Sequence, residues 1–138
     1  MRPKEIDLKD LAMLIEGMEF DWYVGIATGG IPIMYALAQC TRMKNLDVYV
    51  PWQDKHFQHL TKQKVLLVDD VVETGKTMMI AVAVLETWKP KSLNTIALSE
   101  SFTSVFSPDY CLVRNAEEAL RARIEFVEKE IMSGHVTP

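Results

Sequence analysis

The segment Val65-Leu66-Leu67-Val68-Asp69-Asp70-Val71-Val72-Glu73-Thr74-Gly75-Lys76-Thr77 sets two adjacent acids after an apolar run and follows them with Thr-Gly-Lys-Thr. The Gly75-Lys76-Thr77 triplet invites comparison with a nucleotide-binding P-loop, but that motif needs a glycine five residues before its second one. Position 70 is Asp, and a carboxylate there would repel the phosphates such a loop cradles. Another task suits the same residues. If Thr74 to Thr77 open a helix, their free backbone N–H groups and two hydroxyls can hold one phosphate monoester. Gly75 permits close backbone approach and an unusual dihedral. Asp69 and Asp70, just upstream, are poor phosphate ligands, yet they suit vicinal hydroxyls, hydrated magnesium or a developing positive charge. A ligand with a phosphate at one end and a cis-diol nearby is a ribose phosphate. The plain alternative is an acidic turn that only caps a helix, which leaves the order of strand, paired acids and hydroxyl-rich loop unexplained.

These residues need a scaffold, and the chain supplies alternating elements. Asp7 can cap a helix carrying Leu11, Leu14, Ile15 and Met18 at helical spacing, with Gly17 weakening its end. Trp22 to Ala27 is a short apolar run, as expected of a strand covered on both faces, and Thr28-Gly29-Gly30 breaks it. Pro32 suits a helix start, with the helix continuing from Ile33 to Cys40. Asp47 to Val50 reads as a strand ended by Pro51, and residues 52 to 63 as a polar loop. Lys64 to Val68 is the clearest strand and ends at Asp69-Asp70. A helix from Met78 to Trp88 follows, ended by Pro90; then come strands at Leu93 to Leu98 and Tyr110 to Val113. Asn115 and Glu118 form a capping-box-like start for a last helix, about 115–132, with Leu120, Ile124, Val127 and Ile131 on one face. Strands alternating with helices predict an α/β fold, a parallel sheet flanked by helices. Ligands in such sheets bind beyond the carboxyl ends of the strands, where Thr28-Gly29-Gly30 and Asp69 to Thr77 fall.

The chain has 138 residues, 49% hydrophobic and 25% charged, with a formal net charge of −4. That length predicts a single domain over 1–138 with a sizeable core, and the apolar content excludes a disordered chain. The acidic excess argues against nucleic acid as a partner. No run approaches the ~20 apolar residues of a membrane helix, and the N-terminus lacks a signal-peptide core. Cys40 and Cys111, each in an apolar segment, read as buried reduced thiols of a cytoplasmic protein.

The 65–77 segment resembles the phosphoribosyl pyrophosphate (PRPP) signature of type I phosphoribosyltransferases: apolar strand, two acids, two apolar residues, then acid-Thr-Gly-Lys-Thr. The order of elements agrees from Asp7 to Val113, and the pattern resembles the small purine enzymes of the xanthine–guanine or hypoxanthine kind. The resemblance implies a parallel sheet flanked by helices, with a small or reduced hood over the base. It implies that Asp69, Asp70 and Glu73 are catalytic, with Asp69 and Asp70 on the ribose hydroxyls and in the shell of Mg²⁺. Glu73, Thr74, Gly75, Lys76 and Thr77 would bind the 5-phosphate. Val24 to Pro32 resembles the family's pyrophosphate loop, which assigns Thr28, Gly29 and Gly30 to that group; many members carry Arg or Lys where Thr28 stands.

The 52–63 loop falls where the family places a mobile flap, so Lys55 and His56 could add charge at the leaving pyrophosphate; a solvated polar loop would look the same. His59 is a weaker candidate, and His56 and His59 lack a third ligand for zinc. Ser107-Pro108-Asp109-Tyr110 resembles a hood segment of small purine members, which implies base contacts by Phe106, Asp109 and Tyr110, with Phe102 nearby. Purine members usually carry Lys or Arg after the strand, where this chain has Ser99-Glu100-Ser101. The implied reaction transfers the 5-phosphoribosyl group from PRPP to a base of purine type, in a homodimer. The alternative is a PRPP- or nucleotide-binding regulatory homologue with little or no catalysis, motivated by Thr28, Ser99 and the altered hood.

Overall fold

The computed structural model describes residues 4–5, 8–72, 74–100, 104 and 106–114. The elements are β1 (Lys4–Glu5), α1 (Leu8–Gly17), β2 (Trp22–Ile26), α2 (Gly30–Thr41), β3 (Leu46–Tyr49), β4 (Lys64–Val72), α3 (Lys76–Glu86), β5 (Ser92–Glu100) and β6 (Tyr110–Arg114), with a short 3-10 turn at Gln58–Leu60. The strands form one parallel sheet in the order β1-β6-β5-β4-β2-β3. This is the α/β architecture that the alternating pattern implies. Asp7, Glu73, Phe102 and the helix expected at 115–132 lie outside the described residues.

β4 is central because its apolar run can be covered on both faces. Leu66 and Val68 pack with Leu11, Ile15, Ile33 and Leu37 of α1 and α2. Val65 and Leu67 turn to the other face, against Met78, Ala81 and Leu85 of α3, which recur at the spacing of one helical stripe. Burying each such aliphatic side chain contributes about 1.5–3 kcal/mol. Cys111 is buried within β6, whereas Cys40 is only half-buried on α2. Asp21 sets the β2–β4 register: its N–H donates to the Lys64 carbonyl at 2.7 Å, and its carboxylate accepts from the Lys64 N–H at 2.8 Å.

The strand boundaries differ from expectation where it matters. β4 continues through Asp69 and Asp70 to Val72, and β5 runs to Glu100. The cause is long-range: the β4–β5 ladder continues through Val71 opposite Ser99 and Val72 opposite Glu100. On the other edge, β2 pairs with β4 only as far as Gly25 opposite Val68. From Asp69 onward β4 is therefore supported on one side and open on the other. The chain leaves β2 through α2 toward β3, then crosses back to β4 and leaves through α3 on the opposite face. The crevice lies at this reversal, the topological switch point of such sheets.

Candidate active site

Two helix starts converge on the open end of β4. After β2 the chain turns at Thr28, whose carbonyl accepts the Ile31 N–H at 3.2 Å, and enters α2 at Gly30; the Ala27–Thr28 peptide is cis. After β4 it turns at Gly75 and enters α3 at Lys76. Gly75 has φ 85°, a left-handed conformation that residues with a Cβ rarely adopt. The Thr74 hydroxyl accepts from the Lys76 N–H at 3.3 Å, folding the loop over the first turn of α3. Between the two turns lies a cavity of about 300 Å³, lined by Thr28, Gly29, Asp69, Asp70, Thr74, Gly75 and Thr77 with Ile26, Ala27, Val71, Val72 and Met78 at its apolar walls. That volume lies at the small end of small-molecule sites.

The electrostatics divide the cavity. No Lys or Arg is among its described lining residues; Lys76 is exposed at the start of α3. An anion near Thr74 to Thr77 would meet the first-turn N–H groups and positive dipole end of α3. The carboxylates hold the other side. A Cβ added at Gly29 would fall 2.1 Å from Asp70 Oδ2, so the Asp70 carboxylate lies directly over the first turn. Its Oδ1 accepts from the Val71 N–H at 2.7 Å, and Asp69 Oδ1 accepts from the Asp70 N–H at 2.9 Å. Asp69 is buried, and burial pushes its carboxyl up to about 8, helped by the side-chain hydrogen bond and negative charge of Asp70 against the Asp70 N–H. Such a pair fits vicinal hydroxyls, one group donating and the other accepting. No group of three His, Cys, Asp or Glu that could enclose a metal occurs among the described residues. A hydrated hard cation that takes most of its oxygens from water and ligand still fits the acid pair.

Asp69 gives the metal-free protein a distinctive pH dependence. Between its ordinary value of 3.8 and about 8, the folded state keeps a proton that the unfolded chain has lost. Stability therefore falls as pH rises through that window. Urea unfolding from about pH 5 to about pH 8 should show wild type losing stability relative to Asp69→Asn. Parallel curves would refute the assignment.

Of the residues singled out from the sequence, Asp69, Asp70, Thr74, Gly75, Thr77, Thr28 and Gly29 come together at the cavity, with Gly30 and Lys76 opening the flanking helices. Others lie elsewhere. Lys55 pairs with Asp47 on the edge strand β3 and lies over the Phe57 ring, 5.4 Å from its centroid. His56 packs against Trp88 with ring centroids 5.7 Å apart, and His59 donates or accepts at 2.6 Å to Asp47. Neither Lys55 nor His56 reaches the crevice in this structure. The Asp109 carboxylate is occupied by the Thr95 N–H at 2.9 Å and the Asn94 amide at 3.3 Å, which fixes the chain entering β6. Tyr110 packs against the α1–α2 core. Phe106 alone of the three expected base contacts adjoins the loop, beside Gly75. The apolar walls at Ile26, Val71, Val72 and Met78 escaped the sequence reading, because apolar residues at element ends look like ordinary core.

A family model for the phosphoribosyl transferase domain matches residues 48–126. An orotate phosphoribosyltransferase of Sulfurisphaera tokodaii is 35% identical over 78 residues, covering 51% of this chain and 39% of the relative. One from Pyrobaculum aerophilum is 34% identical over 77 residues, with 50% and 39% covered. The chain thus spans 39% of the length of these curated relatives. Among solved structures, the purine phosphoribosyltransferase of Pyrococcus horikoshii superimposes with TM-score 0.70 at 24% identity, covering 78% of each chain. The xanthine-guanine-hypoxanthine phosphoribosyltransferase of Helicobacter pylori gives TM-score 0.67 at 15% identity, covering 88% of this chain and 90% of the other. At these identities the structural likeness establishes the fold.

Proposed function

The chain belongs to the phosphoribosyl transferase domain family, and from that premise we propose that it transfers the 5-phosphoribosyl group of PRPP to a nitrogenous base, releasing pyrophosphate. The observation that carries this reading is one cavity in which the Asp69–Asp70 pair faces the Thr74–Thr77 loop at the start of α3. In it, the loop N–H groups and the Thr74 and Thr77 hydroxyls bind the 5-phosphate. Asp69 and Asp70 each hydrogen-bond one of the vicinal ribose hydroxyls. A base nitrogen then forms its bond to C1 as the bond from C1 to the pyrophosphate oxygen breaks and the electron pair leaves with pyrophosphate, the base giving up its N–H proton to water. The sugar gains oxocarbenium character between these events, and the Asp70 carboxylate favours that positive charge. Positioning and electrostatics do most of the work.

Asp69 and Asp70 would hold Mg²⁺ through water, and bound Mg²⁺ would supply charge neutralisation for the pyrophosphate. The turn at Thr28 and Gly29 offers backbone donors to the same group. The small purine enzymes that share the fold support a base of purine type, while the relatives in sequence are named for orotate. No described helix is long and apolar enough to cross a membrane.

Isothermal titration with PRPP and Mg²⁺ tests the reading directly, and saturable binding at or below about millimolar PRPP is expected. Absence of heat at that concentration would sink the proposal. Assaying pyrophosphate release with adenine, guanine, hypoxanthine, xanthine and orotate then identifies the base. Tight binding with no release from any of them would point instead to the regulatory homologue.

A further inference from the structure

Glu100 ends β5 and is 3% exposed, yet it is not one of the residues lining the cavity. Its Oε1 accepts a hydrogen bond from the Ser107 hydroxyl at 2.6 Å. Its Oε2 is buried with no hydrogen-bond partner among the described residues. A buried carboxylate held by so little is costly, so its place in the fold asks for a role other than stability. That role follows from what Ser107 adjoins. One residue earlier, Phe106 presses on the phosphate loop: a Cβ added at Gly75 would lie 2.6 Å from Phe106 N, 2.8 Å from Phe106 Cβ and 2.7 Å from Ser104 Oγ. The Ser104 hydroxyl donates to the Phe106 carbonyl at 2.5 Å and accepts from the Phe106 N–H at 3.3 Å, which holds the two residues together. Gly75 thus has a backbone wall, and the wall is tied to the sheet through Ser107 and Glu100.

We propose that Glu100 is a positioning residue: by holding Ser107 it seats Phe106 and Ser104 against Gly75 and keeps the Thr74–Thr77 loop preorganised for a phosphate monoester. The loop must hold its N–H groups in one geometry before ligand arrives, since ordering it on binding subtracts from affinity. Local bonds supply only part of that order. Gly75 is the residue of greatest backbone freedom; its carbonyl is fixed by the Met79 N–H at 2.9 Å, but the hydrogen bond from Lys76 N–H to Thr74, at 3.3 Å, is long. A further constraint comes from outside the loop. It comes from the end of the neighbouring strand, because β5 extends as far as β4 does and sets Glu100 beside Val72.

The inference rests on the phosphoribosyl reading of that loop, and the two can fail separately. Titration of wild type with PRPP and Mg²⁺ reports on the reading; the ratio of variant to wild-type Kd reports on Glu100. Glu100→Ala and Ser107→Ala each remove the tie and should weaken PRPP binding about tenfold, the worth of one buried hydrogen bond. Glu100→Gln keeps a carbonyl acceptor for the Ser107 hydroxyl and should stay within about twofold of wild type, and the double alanine variant should be no weaker than either single one. KM for the base should move less than about twofold in all of them, a split that general loss of packing would not produce. If Glu100→Ala does not fold, Ser107→Ala carries the test, because Ser107 is only half-buried. Wild-type PRPP affinity in a folded Ser107→Ala protein would overturn the proposal, as would Glu100→Gln binding as weakly as Glu100→Ala. A wild type that binds no PRPP would overturn both the reading and the inference.

Discussion

Replacing Asp70 by Asn is expected to lower pyrophosphate release by about 100-fold or more, equivalent to roughly 2.7 kcal/mol of lost transition-state stabilisation, with little change in melting temperature. The physical case rests on what the substitution keeps. Asn retains an oxygen to accept the Val71 N–H, the bond that Asp70 Oδ1 makes at 2.7 Å, so the end of β4 should hold its shape. It loses the negative charge that lies over the Gly29 turn and faces the sugar in the proposed reaction. Charge development at C1 would then proceed without its counter-charge. Because Asp70 is only half-buried, folding should tolerate the exchange. Steady-state kinetics alongside a thermal melt would check both halves, and unchanged turnover would show that the carboxylate has been given the wrong task.

The second large effect is expected at Gly75. Alanine there meets two obstacles at once: the φ of 85°, which costs a residue with a Cβ about 1–2 kcal/mol, and the Phe106 amide nitrogen 2.6 Å from where the new carbon would sit. Backbone cannot yield as a side chain tip can, so the loop must move away from the Phe106 backbone that backs it. The phosphate donors move with the loop. PRPP affinity should fall by about 100-fold or more, well beyond the tenfold expected from the Glu100 tie, while the sheet beneath stays folded. Titration calorimetry on Gly75→Ala, with far-UV circular dichroism as the control for folding, gives the answer. Near-wild-type affinity would mean the loop does not hold the phosphate.

The site was legible where its parts are contiguous. Asp69, Asp70, Thr74, Gly75 and Thr77 sit on one strand–turn–helix passage, so their order alone brings them to one end of the sheet, and an apolar run covered on both faces marks that strand as central. Lys55, His56, Asp109 and Tyr110 are different. The family resemblance sets their segments near the reacting centre, but Lys55 is held by Asp47 eight residues before it, and the other three by residues well removed along the chain. Asp47, on the edge strand, takes Lys55 and His59, and the backbone of Thr95 takes the Asp109 carboxylate. Which polar groups satisfy one another cannot be read from local pattern, because burial and register decide it.

By itself, the sequence determined the alternation of strands and helices, the central place of Val65 to Val68 and the gathering of Asp69, Asp70, Thr74, Gly75 and Thr77 at one strand end. These depend on periodicity and on residue type over short spans, which physics acts on directly. Only the tertiary structure decided that the two acids lie within β4, supported by β5 and abandoned by β2, and that Asp69 is buried deeply enough to keep its proton to about 8. Only it tied Glu100 through Ser107 to the wall behind Gly75. Strand lengths, desolvation and such ties arise from neighbours brought together by sheet order, and sheet order is a property of the whole chain.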